Sequence, residues 1–177
     1  MTPLGLNVLQ AAIIVIFSFC MVFAAVSDLL SMTIANRISI LLVVAFALIA
    51  PFTGMDWTTY GWHFAAGAGV LVVTFCLFAI GAMGGGDAKL LAATAVWMGL
   101  GIPLAQYVVW GGMLGGVLTL ILLVLRHSPV APFAAQTVLL RHVADRSAGI
   151  PYGIALGAAG LMAFPNSALG AWALQAF

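Results

Sequence analysis

The chain has 177 residues, of which 65% are hydrophobic and 5% charged, with a formal net charge of +1. Ordinary soluble domains carry roughly 25% charged residues, so these values exclude water as the main solvent and point to an integral membrane protein. So small a net charge offers no basic surface for nucleic acid, and no nucleic-acid partner is expected.

Six apolar runs follow one another: Leu6 to Val26, Ile38 to Phe52, His63 to Met83, Leu90 to Leu100, Ile102 to Leu125 and Pro151 to Trp172. They are apolar all round rather than alternating, which predicts helices and argues against a β-barrel. The expected fold is one all-α domain over residues 1–177 with about six transmembrane helices. A helix needs roughly 20 residues to cross the hydrocarbon core. The second and fourth runs are therefore too short unless they borrow flanking residues, begin in a water-filled notch, or do not span. No Lys or Arg precedes Arg37, so the basic segment of a cleavable signal is missing and the first run is expected to be retained.

All five basic residues fall in alternate loops. Arg37 follows the first run, Lys89 the third, and Arg126, Arg141 and Arg146 the fifth. Basic loops stay on the cytoplasmic side, which predicts a cytoplasmic-membrane protein with these loops inside and both termini outside. The stretch from Thr53 to Trp62 and the turn at Gly101, which hold no basic residue, would then face out.

The four acidic residues are all Asp. Asp28 closes the first run and Asp87 the third, with two crossings between them, so both reach the same membrane face. An ionisable group at the edge of so apolar a run is costly and marks a functional position. Asp56 sits beside Trp57 in the outer loop, which has no basic residue, and Asp145 lies between Arg141 and Arg146; solvated surface charge accounts for both.

Two aspartates held together cannot easily both ionise, so one pKa rises and the pair shares a proton. One member can then act as a base while its neighbour acts as an acid, as peptide hydrolysis by an activated water requires. Gly84, Gly85 and Gly86 immediately precede Asp87. They remove side chains around it and permit unusual backbone conformations, letting an extended substrate approach. Spacing alone supports equally a glycine-rich helix terminus with Asp87 capping the next helix.

The segment Gly84-Gly85-Gly86-Asp87-Ala88-Lys89-Leu90-Leu91 resembles the GxGD motif, with its following Lys-Leu, of the type IV prepilin peptidases, a family of intramembrane aspartyl proteases. Ala25-Val26-Ser27-Asp28, followed by Ile34-Ala35-Asn36, resembles the segment with the family's first catalytic Asp. Trp97-Met98-Gly99 and Ile150-Pro151-Tyr152-Gly153 resemble positions downstream. The resemblance implies catalysis by Asp28 and Asp87 on a prepilin-like membrane substrate, within the lipid bilayer, alongside pilus assembly machinery.

Two departures stand out. Ala35 replaces the Pro common in the family. Longer members carry paired Cys-x-x-Cys motifs on a zinc-binding region associated with N-methylation, whereas Cys20 and Cys76 lie deep in separate apolar runs. The chain thus resembles the short form found in tight-adherence (Flp) pilus systems, and no methyltransferase activity and no cofactor are expected.

The remaining polar residues admit plainer readings. Lys89 could bias Asp87 or contact substrate, or could snorkel to the interface. Asn36 could order the first Asp loop or cap a helix. His63, His127 and His142 are widely separated, with His63 on the opposite face, so no metal site is expected. Ser27 has no base partner at a recognisable spacing. The pairs Gly111/Gly115, Gly112/Gly116 and Gly153/Gly157 are expected to serve helix packing. The stretch from Arg126 to Gly149 is expected as an interfacial amphipathic helix or an irregular loop.

Two other classes use the same features. A small transporter could bind cations or relay protons on the two aspartates. An assembly subunit could simply pack against pilus-machine helices through its glycines.

Overall fold

A computed structural model of the protein describes residues 3–128 and 149–175, and every regular element among them is helical. In chain order these are α1 (Pro3–Ser31), α2 (Asn36–Ile49) with a 3-10 turn (Ala50–Thr53), α3 (Trp57–Ala79), α4 (Gly85–Met98), α5 (Ile102–His127), α6 (Tyr152–Ala163) with a 3-10 turn (Phe164–Asn166), and α7 (Ala168–Leu174).

Local chemistry sets the boundaries. Helix α3 starts where the Asp56 side chain accepts the Thr59 amide at 2.8 Å. It stops at Gly81, whose φ of +76° suits a residue without Cβ. There the Gly81 amide donates to the Phe78 carbonyl and the Ala82 amide to the Leu77 carbonyl, both at 2.9 Å. Pro165 in the turn after α6 removes a helical donor, and the Ser167 side chain restarts the helix by accepting the Gly170 amide.

Among the described residues, four helical stretches are long and apolar enough to cross a membrane: Val8–Ser31, Asn36–Thr53, Trp57–Ala79 and Ile102–His127. The pair Tyr152–Asn166 and Ala168–Leu174, bent by 67°, supplies a fifth if taken as one broken span. Against the expectation of about six spans, the described residues supply four or five. The fourth run is where the count changes, because α4 has 14 residues and reaches only about 21 Å at 1.5 Å per residue.

Burial explains why so short a helix is tolerated. Helix α4 packs against α2, α3, α5 and α6, and Leu90, Ala95 and Trp97 are completely covered. Its backbone is shielded by protein, so its length need not match the lipid. The bundle centre is an aromatic cluster: Phe17 stacks on Phe164 at 4.3 Å between ring centroids, and Trp97 meets Phe17 at 5.2 Å and Phe46 at 5.9 Å. The Trp97 indole N–H donates to the Leu42 carbonyl at 2.9 Å, so its polar atom is satisfied inside the core. Outward-facing Val15, Phe75 and Val124 are more than half exposed, as expected of side chains solvated by lipid tails.

The glycine pairs divide. A Cβ on Gly115 would run into the Tyr152 ring, one on Gly157 would come within 2.7 Å of the Met21 carbonyl oxygen, and one on Gly111 would touch Leu156. These positions pack helices, as expected. At Gly112 and Gly116 a Cβ would meet nothing within 4 Å, so the packing role expected of that pair does not hold within this chain.

Trp97→Ala removes both the ring contacts and the indole hydrogen bond. It should lower stability by about 3–5 kcal/mol, seen as a reduced thermal unfolding midpoint in detergent; an unchanged midpoint would contradict this account of the core.

Candidate active site

The two aspartates that parity placed on one face line the same cavities. A cavity of about 790 Å³ has Asp28, Met32, Gly84, Asp87, Arg126 and Tyr152 in its walls. A smaller one of about 240 Å³ adds Thr33, Ile34, Gly85 and Gly86 and is again bounded by both carboxylates.

Asp28 lies in the last turn of α1 and is 6% exposed. Burying a carboxylate requires a partner, and Asp28 Oδ2 accepts the Gly153 amide at 2.7 Å. Gly153 is the second residue of α6, whose N-cap is Pro151 with no side-chain cap. The open amides at that helix start are thus served by a side chain 125 residues away in sequence. Gly153 is also sterically required, since a Cβ there would come within 2.8 Å of Asp28 Cβ and 2.9 Å of its Oδ2. Just beyond Asp28, Met32 adopts φ +53° while its amide donates to the Asp28 carbonyl at 2.8 Å. Left-handed backbone at a residue with a side chain costs about 1–2 kcal/mol, and here it turns the chain sharply along the cavity wall.

Asp87 is the third residue of α4, in its first turn, as the helix-terminus reading anticipated. The N-cap is Gly84, with no side-chain capping bond, so Asp87 does not cap the helix through its carboxylate. That side chain folds back instead: a Cβ on Gly84 would sit 2.8 Å from Asp87 Oδ2. A Cβ on Gly86 would press on Ile34 Cβ at 3.3 Å, and one on Gly85 on the Phe78 ring at 3.2 Å. The glycines are needed for close approach rather than for unusual backbone. Gly84 has φ −69°, and among the described residues none of the three has positive φ.

Asp87 lies outside the four spanning helices, and its carboxyl is pushed up to about 7, first by burial and then by the charge of Asp28. The pair can therefore hold a proton near neutrality, the condition for one carboxyl to donate while the other accepts.

The supporting residues resolve differently. Lys89 Nζ donates to Asn36 Oδ1 at 3.0 Å; the pair ties the first turn of α4 to that of α2, and neither residue lines the two cavities with the carboxylates. The N-cap of α2 is Ala35, so Asn36 does not cap its helix. Arg126, noted in the sequence only as a loop charge, is buried in the larger cavity wall and donates to the Gly149 carbonyl at 2.7 Å. Gly153 and Arg126 were legible only as a family-like position and as a charge, because their partners are distant in sequence.

Asp56 caps α3, and its bond to Thr59 holds its carboxyl below the usual range. His63 is buried, with Nδ1 2.7 Å from the Val96 carbonyl and its ring stacked on Phe46. Among the described residues no three His, Cys, Asp or Glu side chains group as metal ligands. Asp145, His142 and the core of the 126–149 segment lie outside the described residues.

A family model described as the type IV leader peptidase family matches residues 15–171, a stretch containing both cavity carboxylates. No curated protein and no solved structure gives a significant match.

A raised pKa favours the neutral carboxyl, so infrared difference spectra should show a protonated Asp87 band below about pH 7 that disappears above it. The band should be missing in Asp87→Asn, and Asp28→Asn should shift its loss to lower pH by removing the second cause. A band absent from the native protein at pH 6 would contradict the shared-proton arrangement.

Proposed function

The chain belongs to the type IV leader peptidase family, and on that premise we propose that it is an aspartyl endopeptidase that removes the leader from prepilin-like membrane precursors. The observation that carries the reading is the lining of common cavities by Asp28 and Asp87. The unprotonated carboxylate takes a proton from a water as it attacks the scissile carbonyl. The protonated partner donates to the carbonyl oxygen, and the pair then supplies a proton to the leaving amine. Gly85 and Gly86 let the start of α4 pack closely on Phe78 and Ile34, which sets Asp87 in the cavity wall.

The proposed setting is the inner (cytoplasmic) membrane, with the dyad on the cytoplasmic side. Arg126 lines the carboxylate cavity, and Lys89 and Asn36 join α4 and α2 two residues from Asp87 and one from Arg37. These positive charges at the aspartate end favour retention inside. A precursor would hold its polar leader in the cytoplasm and its apolar helix in the bilayer, bringing the junction to that level. The reading includes no methyl transfer, since Cys20 and Cys76 stand singly on α1 and α3. Pilus assembly machinery is the proposed wider partner.

Asp28→Asn and Asp87→Asn should each abolish precursor shortening on gels while leaving membrane insertion intact. The double variant should be scarcely worse than either single one, because members of a catalytic unit are non-additive. Asp→Glu at either position should cost about a hundredfold, as expected when a reacting group moves by roughly 1 Å, whereas Asp56→Asn should retain cleavage. Near-native processing by a folded Asp28→Asn protein would refute the dyad.

Orientation is checked separately. Single cysteines beside Arg37 and Lys89, in a background lacking Cys20 and Cys76, should resist an impermeant thiol reagent in intact cells, while one beside Asp56 should react. Labelling beside Lys89 from outside would reverse the proposed topology.

A further inference from the structure

Helices α3 and α5 leave a gap between them on the lipid side. It is an apolar groove of about 500 Å³, walled by Gly69, Val73 and Leu77 of α3 and by Leu104, Val108 and Gly112 of α5. Leu91 of α4 and Leu156 of α6 also line it. Two glycines face into it, and a Cβ on Gly69 or Gly112 would meet nothing within 4 Å. Among the described residues these glycines therefore serve no close contact, unlike Gly67, where a Cβ would clash with Val96.

The groove is continuous with the carboxylates. Met83 and Tyr152 line both it and the cavity holding Asp28 and Asp87. A second apolar groove, of about 670 Å³ with Val44 and Ala68 in its walls, shares no lining residue with either carboxylate cavity. Proximity to the dyad thus selects one groove over the other.

We infer that the groove between α3 and α5 seats the apolar transmembrane helix of the precursor, so that the peptide bond at the end of that helix enters the carboxylate cavity. This rests on the leader-peptidase reading, which requires a substrate with an apolar segment adjoining the cut. In lipid, helix association depends on close packing, and small residues permit it. Gly69 and Gly112 offer such close approach on facing walls, with Val73, Leu77 and Val108 as the apolar surface around them. The polar leader then extends past Met83 and Tyr152 into the cavity.

The test uses the full chain in detergent with a leader-bearing, single-helix precursor. Gly69→Leu and Gly112→Leu, at positions where a Cβ meets nothing within 4 Å, extend side chains into the groove and should raise KM by roughly tenfold or more, a loss of about 1.4 kcal/mol in binding, while kcat at saturation falls far less. Ala68→Leu, one residue from Gly69 but in the other groove, should match wild type. Thermal midpoints at or above wild type for both glycine variants would exclude misfolding as the cause. In an Asp87→Asn background, a photo-crosslinker at Val108 should capture the precursor's apolar segment, and one at Val44 should not. Wild-type KM in both glycine variants, or capture from Val44 alone, overturns the groove assignment while leaving the activity standing. Failure of the wild-type protein to shorten any such precursor faults the activity itself, and the groove assignment falls with it.

Discussion

A carboxylate taken out of water must be compensated, and the bond from the Gly153 amide to Asp28 Oδ2 does this at the point where α1 meets α6. The contact constrains both helices. Helix α6 can lie close enough only because its face is stripped of side chains at Gly153, Gly157 and Gly160, where a Cβ would strike Asp28, the Met21 carbonyl and the Met21 sulfur in turn. One polar bond at the cavity is thus supported by a line of close contacts running down the two helices into the aromatic cluster of Phe17 and Phe164. Position at the site and packing in the membrane are set by the same residues.

Opposite this pair, α4 carries the second carboxylate on the most enclosed helix of the bundle. Neighbours on several sides fix where its first turn lies, and the Lys89 to Asn36 bond holds that turn to α2 from outside the cavity. The backbone at Asp87 is therefore placed by packing, while its carboxylate has no hydrogen-bond partner among the described residues. That carboxylate is thus left to the cavities it lines with Asp28.

Much of this was legible in the sequence. The apolar runs located the helices, and counting crossings brought Asp28 and Asp87 to one face, because parity depends on how many helices intervene and not on where each ends. Spanning status was less legible. Leu90 to Leu100 was marked by its length, but only the packing around Leu90 and Trp97 shows why a helix that cannot bridge the lipid is stable there. The glycines were the hardest to read. Gly112 and Gly115 look alike as small residues on one helix, yet one faces open space and the other the Tyr152 ring, a difference of helix rotation that spacing does not carry. Gly153 was legible as a residue of a family-like segment, while its bond to a side chain 125 positions earlier was not.

That long separation has a consequence for the timing of biogenesis. A chain enters the membrane N-terminus first, so α1 through α5 are made before α6 emerges. Until then the Asp28 carboxylate lacks the amide that compensates it, and the wall of the cavity formed by Ile150 and Tyr152 does not exist. The intermediate holds both aspartates but lacks the Gly153 amide and that part of the wall. Completion of the cavity, and of the bond that compensates Asp28, thus waits on α6.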